Sequence, residues 1–441
     1  MGVRKGPAGA SVVGRVAGGG WRRGLAVVLA AGLVGALGGC WGGGAAGDGK
    51  VTIRFAWWGS EQRAKITNEA VQLFMRKNPS IKVVTSTAIY DAYFQKLATE
   101  TAGGNAPDVM QMSDRHLQDY AERNVVLDLR SHVGKEIHTA DLKKEVMGLG
   151  TLGDRLFGLP LGQTAMVMIY NPVLWEKAGA KEPALGWTWD DYFEAAKKVS
   201  GETGGKVYGA SDFGGIESWF KVWLSQQGKG LYAADGKLGY TEQDVVTWWE
   251  MATKFRKAGA TTPGEITAVN PAGTPLPRKL SASEFQPDST VAPDAWKAYD
   301  NDYKLAPPPQ VGAESGIYGE PPMLISVSAR SEQQAAALKL TDFIVNDPEA
   351  AKILGMSRGL PANMTNRTAV ASGLTGSWKQ VYDYEELIAG KIKVGPPAPP
   401  KGAGALFTLF DKYYQDVMYD KATPADAAKR YYAEAQQTLA G

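Results

Sequence analysis

Apolar positions between residues 51 and 124 switch repeatedly between two spacings. "VTIRFAW" begins at Val51 and alternates with period 2, which is typical of a strand, and apolar residues then recur at helical spacing. This strand–helix alternation, at about 30-residue spacing, predicts a parallel sheet built from βαβ units. The predicted strands are 51–57, 81–86 and 107–112, and the predicted helices are 61–77, 90–104 and 114–124.

The later chain continues the α/β pattern with longer helices. Residues 156–179 predict a turn, a long strand and a helix that begins after Asn171-Pro172. A further helix is predicted to begin near Thr188, because a threonine followed by Asp190 and Asp191 is typical of an N-cap and first turn. Other predicted helices occupy 214–228, 240–259, 405–419 and 423–439.

The N-terminal segment has the pattern of an export signal. Residues 1–39 contain five basic residues and no acidic residue, and an apolar run from Leu25 leads to Cys40, the only cysteine. The run is short and glycine-rich, which favours a secretory signal over a membrane span. "LGGC" resembles the lipobox of bacterial lipoproteins, which implies a lipidated Cys40 followed by a flexible tether over 40–50. The alternatives are a lone buried thiol at Cys40 and, for export, either the general or the twin-arginine route.

The chain after the predicted signal, residues 40–441, is long and slightly acidic. Removing residues 1–39 leaves 402 residues with 43 basic and 46 acidic side chains, a net charge of −3. A slightly acidic body lacks the basic surface that nucleic-acid binding requires. Its length predicts two domains or one bilobal unit, and a single cysteine excludes an internal disulfide. The aromatic content is high, with 13 Trp, 18 Tyr and 12 Phe in the whole chain.

Polar and aromatic residues follow the ends of the first three predicted strands. Ligands of open α/β sheets bind outside the carboxyl ends of the strands. Trp58 and Ser60 follow the first strand, Tyr90 follows the second and Asp114 the third. We therefore expect these side chains to converge on one crevice. Trp57 continues the apolar alternation and is expected in the core, whereas Trp58, on the opposite face, is expected to bind a ligand.

Several motifs occur in an order that resembles one protein family. They are "FAWWGS", "YFQKLATETAGGNAPDVMQ", "LQDYAERN", "GLPLG", "WTWDDYFEAA" and "SRGLPAN". The chain resembles the substrate-binding lipoproteins of bacterial ABC sugar importers, the maltose-binding-protein-like solute-binding proteins of family 1. The resemblance implies a bilobal periplasmic-binding-protein-like α/β fold, with two lobes joined by crossing strands around a cleft. It places lobe one at 51–170 and 320–372, and lobe two at 171–319 and 373–441.

The same resemblance implies a function and its partners. The protein would capture a sugar in the cleft and deliver it to the permease subunits of an ABC importer. It would be a monomer at the outer face of the cytoplasmic membrane, or on the periplasmic side where the cell has an outer membrane. It would need no catalysis, metal or cofactor. Carried over position by position, the resemblance implies these ligand-binding residues: Trp58, Ser60, Tyr90, Asp114, Gln163, Trp219, Phe285, Asp288 and Phe407.

The implied contacts agree with sugar chemistry. Aromatic rings bury the apolar face of a pyranose, while acidic, amide and hydroxyl groups satisfy its hydroxyls. Asp114 and Asp288 favour a neutral di- or oligosaccharide. The alternative is an anionic sugar, such as a uronate, held by Arg63 or Arg115.

A secreted carbohydrate-active enzyme is the rival function, and a purely structural surface protein is a third reading that leaves the strand-end residues unexplained. A glycosidase needs a pair of carboxyl groups. The paired acids Glu385-Glu386 are expected on a solvated helix face, and Asp190-Asp191 in a helix first turn. "GMSRG" at 355–359 fits a nucleophile-elbow pattern but follows a helix instead of a strand. The three histidines show no metal-ligand spacing.

Overall fold

The structure is a computed structural model that describes residues 50–270, 275–291, 303–320, 323–393, 395–396 and 399–440. The predicted signal segment and Cys40 lie outside these residues. Among the described helices, none is both long enough and apolar enough to cross a membrane.

The strands are short except for the first two. Their bounds are β1 Val51–Trp58, β2 Ile81–Ala88, β3 Val109–Met112, β4 Thr151–Leu152, β5 Arg155–Leu156, β6 Leu159–Pro160, β7 Gly162–Gln163, β8 Met166–Tyr170, β9 Ser283–Pro287, β10 Lys304–Ala306, β11 Leu324–Val327 and β12 Leu360–Pro361.

Helices follow the strands through most of the described chain. Their bounds are α1 Glu61–Lys77, α2 Tyr90–Ala102, α3 Asp114–Glu122, α4 Lys144–Met147, α5 Pro172–Lys177, α6 Trp189–Glu202, α7 Glu217–Ser225, α8 Glu242–Lys257, α9 Gly264–Val269, α10 Gln334–Asn346, α11 Pro348–Leu354, α12 Met364–Ala371, α13 Gly376–Ile388, α14 Ala403–Met418 and α15 Pro424–Ala440.

A five-stranded sheet organises the part of the molecule that we call lobe one. Its order is β2-β1-β3-β11-β6, and β1 lies parallel to both β2 and β3. The predicted parallel βαβ arrangement is therefore confirmed. β11 pairs antiparallel with β3, so the chain returns to this sheet late in the sequence.

A three-stranded antiparallel sheet of order β10-β8-β9 organises lobe two. The two lobes are connected through residues 159–170, where one long strand was expected. The structure instead has β6 in the first sheet, β8 in the second, and β7 paired with β12 between them. Because β6, β7 and β8 each pair with different strands, the hydrogen-bond ladder along this segment is interrupted. Gly162 allows the close approach in this crossing, because a Cβ there would lie 2.1 Å from the carbonyl oxygen of Arg358.

Both faces of the lobe-one sheet are covered. Trp57 points to the face packed by α1 and α10 and is fully buried, as predicted. Trp58 points to the other face, where α2 contributes Tyr93 and Phe94. Parallel sheets are usually buried on both faces, and here each tryptophan packs into its own cluster.

The core of lobe two is unusually aromatic. Trp187, Trp189, Trp248 and Trp249 lie in one cluster around β8 and β9. The predicted cap at Thr188 forms a capping box with Asp191.

A further cluster packs on the opposite face of β8 and includes Val370 of α12 and Val381 of α13. These two helices lie on either side of the predicted lobe boundary at residue 372, yet they share one core. The predicted boundaries therefore stay a prediction.

Candidate functional site

A cavity of about 1110 Å³, counted to its open mouth, lies between residues of the two lobes. Lobe one contributes the end of β1, the residues that follow β3 and the start of α2. Lobe two contributes α7, the end of β9 and the start of α14. The lining residues are Trp58, Tyr90, Ser113, Asp114, Arg115, Thr164, Glu217, Ser218, Lys221, Leu231, Tyr232, Pro287, Ser289, Glu320, Pro399, Ala403 and Phe407.

The lobe-one wall is held by the start of α3. Ser113 caps this helix by accepting a hydrogen bond from the Arg115 backbone N–H. The Tyr90 hydroxyl donates to Ser113 Oγ at 3.3 Å, and Ser113 Oγ contacts Asp114 Oδ1 at 3.1 Å. The strand-end convergence predicted for Tyr90 and Asp114 is therefore what the structure shows, although a ligand contact at either residue stays a prediction.

The lobe-two wall is one side of α7. Glu217, Ser218 and Lys221 lie on this side, and Trp219 and Phe220 lie in the core. Lys221 forms an ion pair with Glu320. The helix is therefore polar toward the cavity and apolar toward lobe two.

A cation–π contact joins the two lobes across the cavity, in addition to the Lys221–Glu320 ion pair. The Arg115 guanidinium lies over the ring of Phe407, 4.5 Å from its centroid, which is cation–π geometry. Phe407 remains 38% exposed. A ligand that stacks on this ring would meet or displace Arg115, which was expected near the ligand only if the sugar were anionic.

Trp58 and Ser60 differ from their predicted roles. Trp58 is only 7% exposed, and its ring contacts Tyr90, Tyr93 and Phe94 at 5.3–5.4 Å between centroids. It lines the cavity, but the rings of α2 leave little of its surface open for stacking. Ser60 caps α1 by accepting from the Arg63 backbone N–H and does not line the cavity.

Gln163 and Asp288 lie beneath the cavity in a buried polar network. Both are 0% exposed. Asp288 accepts hydrogen bonds from the Ala165 backbone N–H at 2.9 Å and from the Thr164 hydroxyl. Gln163 donates to Glu385 at 2.6 Å. Neither side chain lines the cavity in this structure, and a direct ligand contact at either residue stays a prediction.

Glu385 is also corrected, from a solvated face to the core. It is fully buried and pairs with Arg367 at 2.9 Å. Burial raises the pKa of Glu385, which the arginine opposes. The pKa of Asp288 is raised as well, by burial and then by the neighbouring Glu385 charge. Two buried carboxyl groups thus lie close together at the crossing, and the Arg367 guanidinium pairs with Glu385.

Trp219 and Phe285 belong to the lobe-two core. Trp219 is 0% exposed and Phe285 is 4% exposed, and their rings stack on each other at 3.9 Å. In this structure the face of Trp219 that was expected to meet a sugar packs on the Phe285 ring, and a sugar platform at Trp219 stays a prediction. Neither residue lines the interlobe cavity.

The sequence reasoning missed Glu217, Lys221 and Tyr232. A signal was available for the first two. In "ESWFKVWLS" the polar residues Glu217, Ser218, Lys221 and Ser225 recur at helical spacing among aromatic ones, which predicts one polar side on an otherwise buried helix. Nothing local marks Tyr232, which follows the helix in an irregular segment.

Two further cavities adjoin the first. One, of about 740 Å³, shares Asp114, Lys221 and Tyr232 with it. The other, of about 1280 Å³ in lobe two, shares Phe407. Within the described part of the chain, no group of three or more His, Cys, Asp or Glu residues is placed to hold a metal ion.

Comparisons with known proteins agree with this architecture. Residues 57–351 match the family of bacterial extracellular solute-binding proteins. A structure of an extracellular solute-binding protein family 1 member from Alicyclobacillus acidocaldarius is 28% identical, with a TM-score of 0.73 over 90% of this chain and 100% of the other.

Two curated relatives match over shorter stretches. An uncharacterized lipoprotein of Streptomyces antibioticus is 30% identical over 163 residues, 36% of each chain. An arabinooligosaccharide-binding protein of Bacillus subtilis is 25% identical over 184 residues, 38% of this chain and 39% of the other. This chain thus spans little more than a third of the length of these two relatives. The family match covers more than half of the sequence, and the chain belongs to the bacterial extracellular solute-binding proteins.

Proposed function

We propose that this protein captures a sugar, a neutral di- or oligosaccharide, in the interlobe cavity and delivers it to the permease of an ABC importer. The observation that carries the proposal is the cavity itself. Aromatic edges and faces from Trp58, Tyr90, Tyr232 and Phe407 line it beside charged and hydroxyl groups. Sugar recognition needs this combination, because a pyranose has apolar faces and a rim of hydroxyls.

The arabinooligosaccharide-binding relative supports a sugar as the ligand. Among the residues predicted to bind, Tyr90, Asp114 and Phe407 keep that role in the proposal. Phe407 would supply the stacking face. Among the predicted aromatic contacts that line the cavity, its side chain is the most exposed.

The proposal includes export and a lipid anchor at Cys40. The lipoprotein of Streptomyces antibioticus supports the anchor, and the sequence before Cys40 has the charge and apolar pattern of a signal. The predicted lobe boundaries, 51–170 with 320–372 and 171–319 with 373–441, are part of the same proposal.

A calorimetric titration of the purified full-length protein tests the function. Arabinotriose, maltotriose and digalacturonate serve as probes, and each mixture is afterwards analysed for released monosaccharide. Saturable binding of a neutral trisaccharide without sugar release is the expected result. Turnover of a probe would favour a carbohydrate-active enzyme, and absence of binding by every probe would overturn the proposal of a sugar.

A further inference from the structure

One carboxylate in the cavity wall makes no hydrogen bond and no ion pair with the described residues. Glu217, the first residue of α7, is 8% exposed and lines the cavity. The other acids of the wall are engaged: Asp114 contacts the Ser113 hydroxyl at 3.1 Å, and Glu320 pairs with Lys221. Both carboxylate oxygens of Glu217 therefore lack a hydrogen-bond donor among the described residues.

Several charged and titratable groups surround Glu217. They are Lys221 on the same helix, Asp114 and Arg115 on α3, Glu320 at the crossing, Tyr232 after α7, Tyr240 before α8 and Tyr431 on α15. Burial raises the pKa of Glu217 to about 7, against the opposing effects of Arg115 and Lys221. An ionised, buried and unbonded carboxylate destabilises the empty protein.

A ligand could supply the missing donors. Sugar hydroxyls donate hydrogen bonds, whereas the carboxylate of a uronate would repel Glu217 and Asp114. We propose that Glu217 selects the ligand by charge, its carboxylate accepting hydrogen bonds from hydroxyls of a neutral sugar while Arg115 donates to a neighbouring sugar oxygen. This inference rests on the proposed sugar-binding function and adds the specificity-determining residue.

The pH dependence of binding follows from the same contact. Donors on the ligand stabilise the charged carboxylate, so the pKa of Glu217 is lower in the complex than in the empty protein. Affinity is then full above about pH 7, and it falls as the pH drops toward the lower pKa of the complex, by up to about tenfold per pH unit. An anionic sugar would show the opposite slope, because protonation of Glu217 removes a repulsion.

The test compares wild type with Glu217→Gln between pH 5.5 and 8.5. The probes are arabinotriose, maltotriose and digalacturonate, and the matched control is Glu194→Gln, an exposed acid of α6. Glu217→Gln should weaken neutral-sugar binding at pH 8 by about tenfold to a hundredfold and flatten the pH profile. Glu194→Gln should keep both the affinity and the slope of wild type.

A second measurement needs no sugar. Glu217→Gln removes a buried unpaired charge, so the melting temperature of the empty protein should rise by several degrees at pH 8 and by little at pH 5. Equal affinities and slopes in the two proteins, tighter binding of digalacturonate than of the neutral trisaccharides at pH 8, or an unchanged melting temperature at pH 8 would each overturn the inference. If the wild-type protein binds none of the sugar probes but Glu217→Gln still raises the melting temperature at pH 8, only the proposed sugar-binding function is rejected.

Discussion

Replacing Trp58 by alanine should destabilise the fold more than it weakens ligand binding. The ring is 7% exposed and packs against three aromatic rings of α2 at 5.3–5.4 Å. Truncating a buried tryptophan to alanine costs about 3–5 kcal/mol. The free energy of unfolding should therefore fall by roughly that amount, with a melting temperature lower by several degrees. Little of the ring is open to the cavity, so the affinity should change mainly through shifts of the neighbouring Tyr90.

Phe407→Ala is the matched comparison, and it should show the opposite pattern. Its ring is 38% exposed and loses one cation–π contact with Arg115, so the cost in stability should stay below about 1 kcal/mol. If a sugar stacks on this ring, affinity should fall by about tenfold to a hundredfold. Urea unfolding and calorimetric titration of both variants decide between the roles. A Trp58→Ala protein with wild-type stability and no binding would refute the assignment of Trp58 to the core.

Two other substitutions probe the crossing and the anchor. Arg367→Met leaves the buried Glu385 without its cation, so the free energy of unfolding, measured in urea at pH 8, should fall by about 3–5 kcal/mol. The double variant Arg367→Met with Glu385→Leu should recover part of the loss. Unchanged stability of the Arg367→Met protein would show that the ion pair contributes nothing. Cys40→Ser should release the protein from membranes, as measured by fractionation, without changing its ligand affinity, and continued membrane retention would refute lipidation at Cys40.

The first half of lobe one was predictable because its signals are local. Period-2 alternation and helical spacing gave β1, α1, β2 and α3 nearly at their observed bounds, and the caps at Thr188 and Ser113 depend on residues a few positions away. Such elements need no knowledge of the rest of the chain.

The floor of the cavity was not predictable in the same way. Thr164 and Asp288 are 124 residues apart, and Gln163 and Glu385 are 222 residues apart. Their pairing depends on the register of the crossing strands, which no local pattern encodes. The burial of Trp58 was not predictable for another reason. A residue at the carboxyl end of a strand is exposed only where no helix covers its side of the sheet, and α2 covers the side on which Trp58 lies.

The family resemblance implied sugar contacts at Trp219 and Phe285, and in an aromatic-rich lobe residue type alone does not separate a binding ring from a core ring. Both positions carry the residue type that binds sugars, yet in this chain the two rings stack on each other. The polar residues of the same helix, Glu217 and Lys221, were the better guide to the cavity.

The most direct test of the account is a crystal structure of the protein with the neutral trisaccharide that binds best in the calorimetric titration. Electron density for the sugar is expected between the lobes, with one ring on Phe407 and hydroxyls within hydrogen-bond distance of Glu217 and Asp114. A trisaccharide bound elsewhere on the protein, with the cavity between the lobes left empty at saturation, would contradict it.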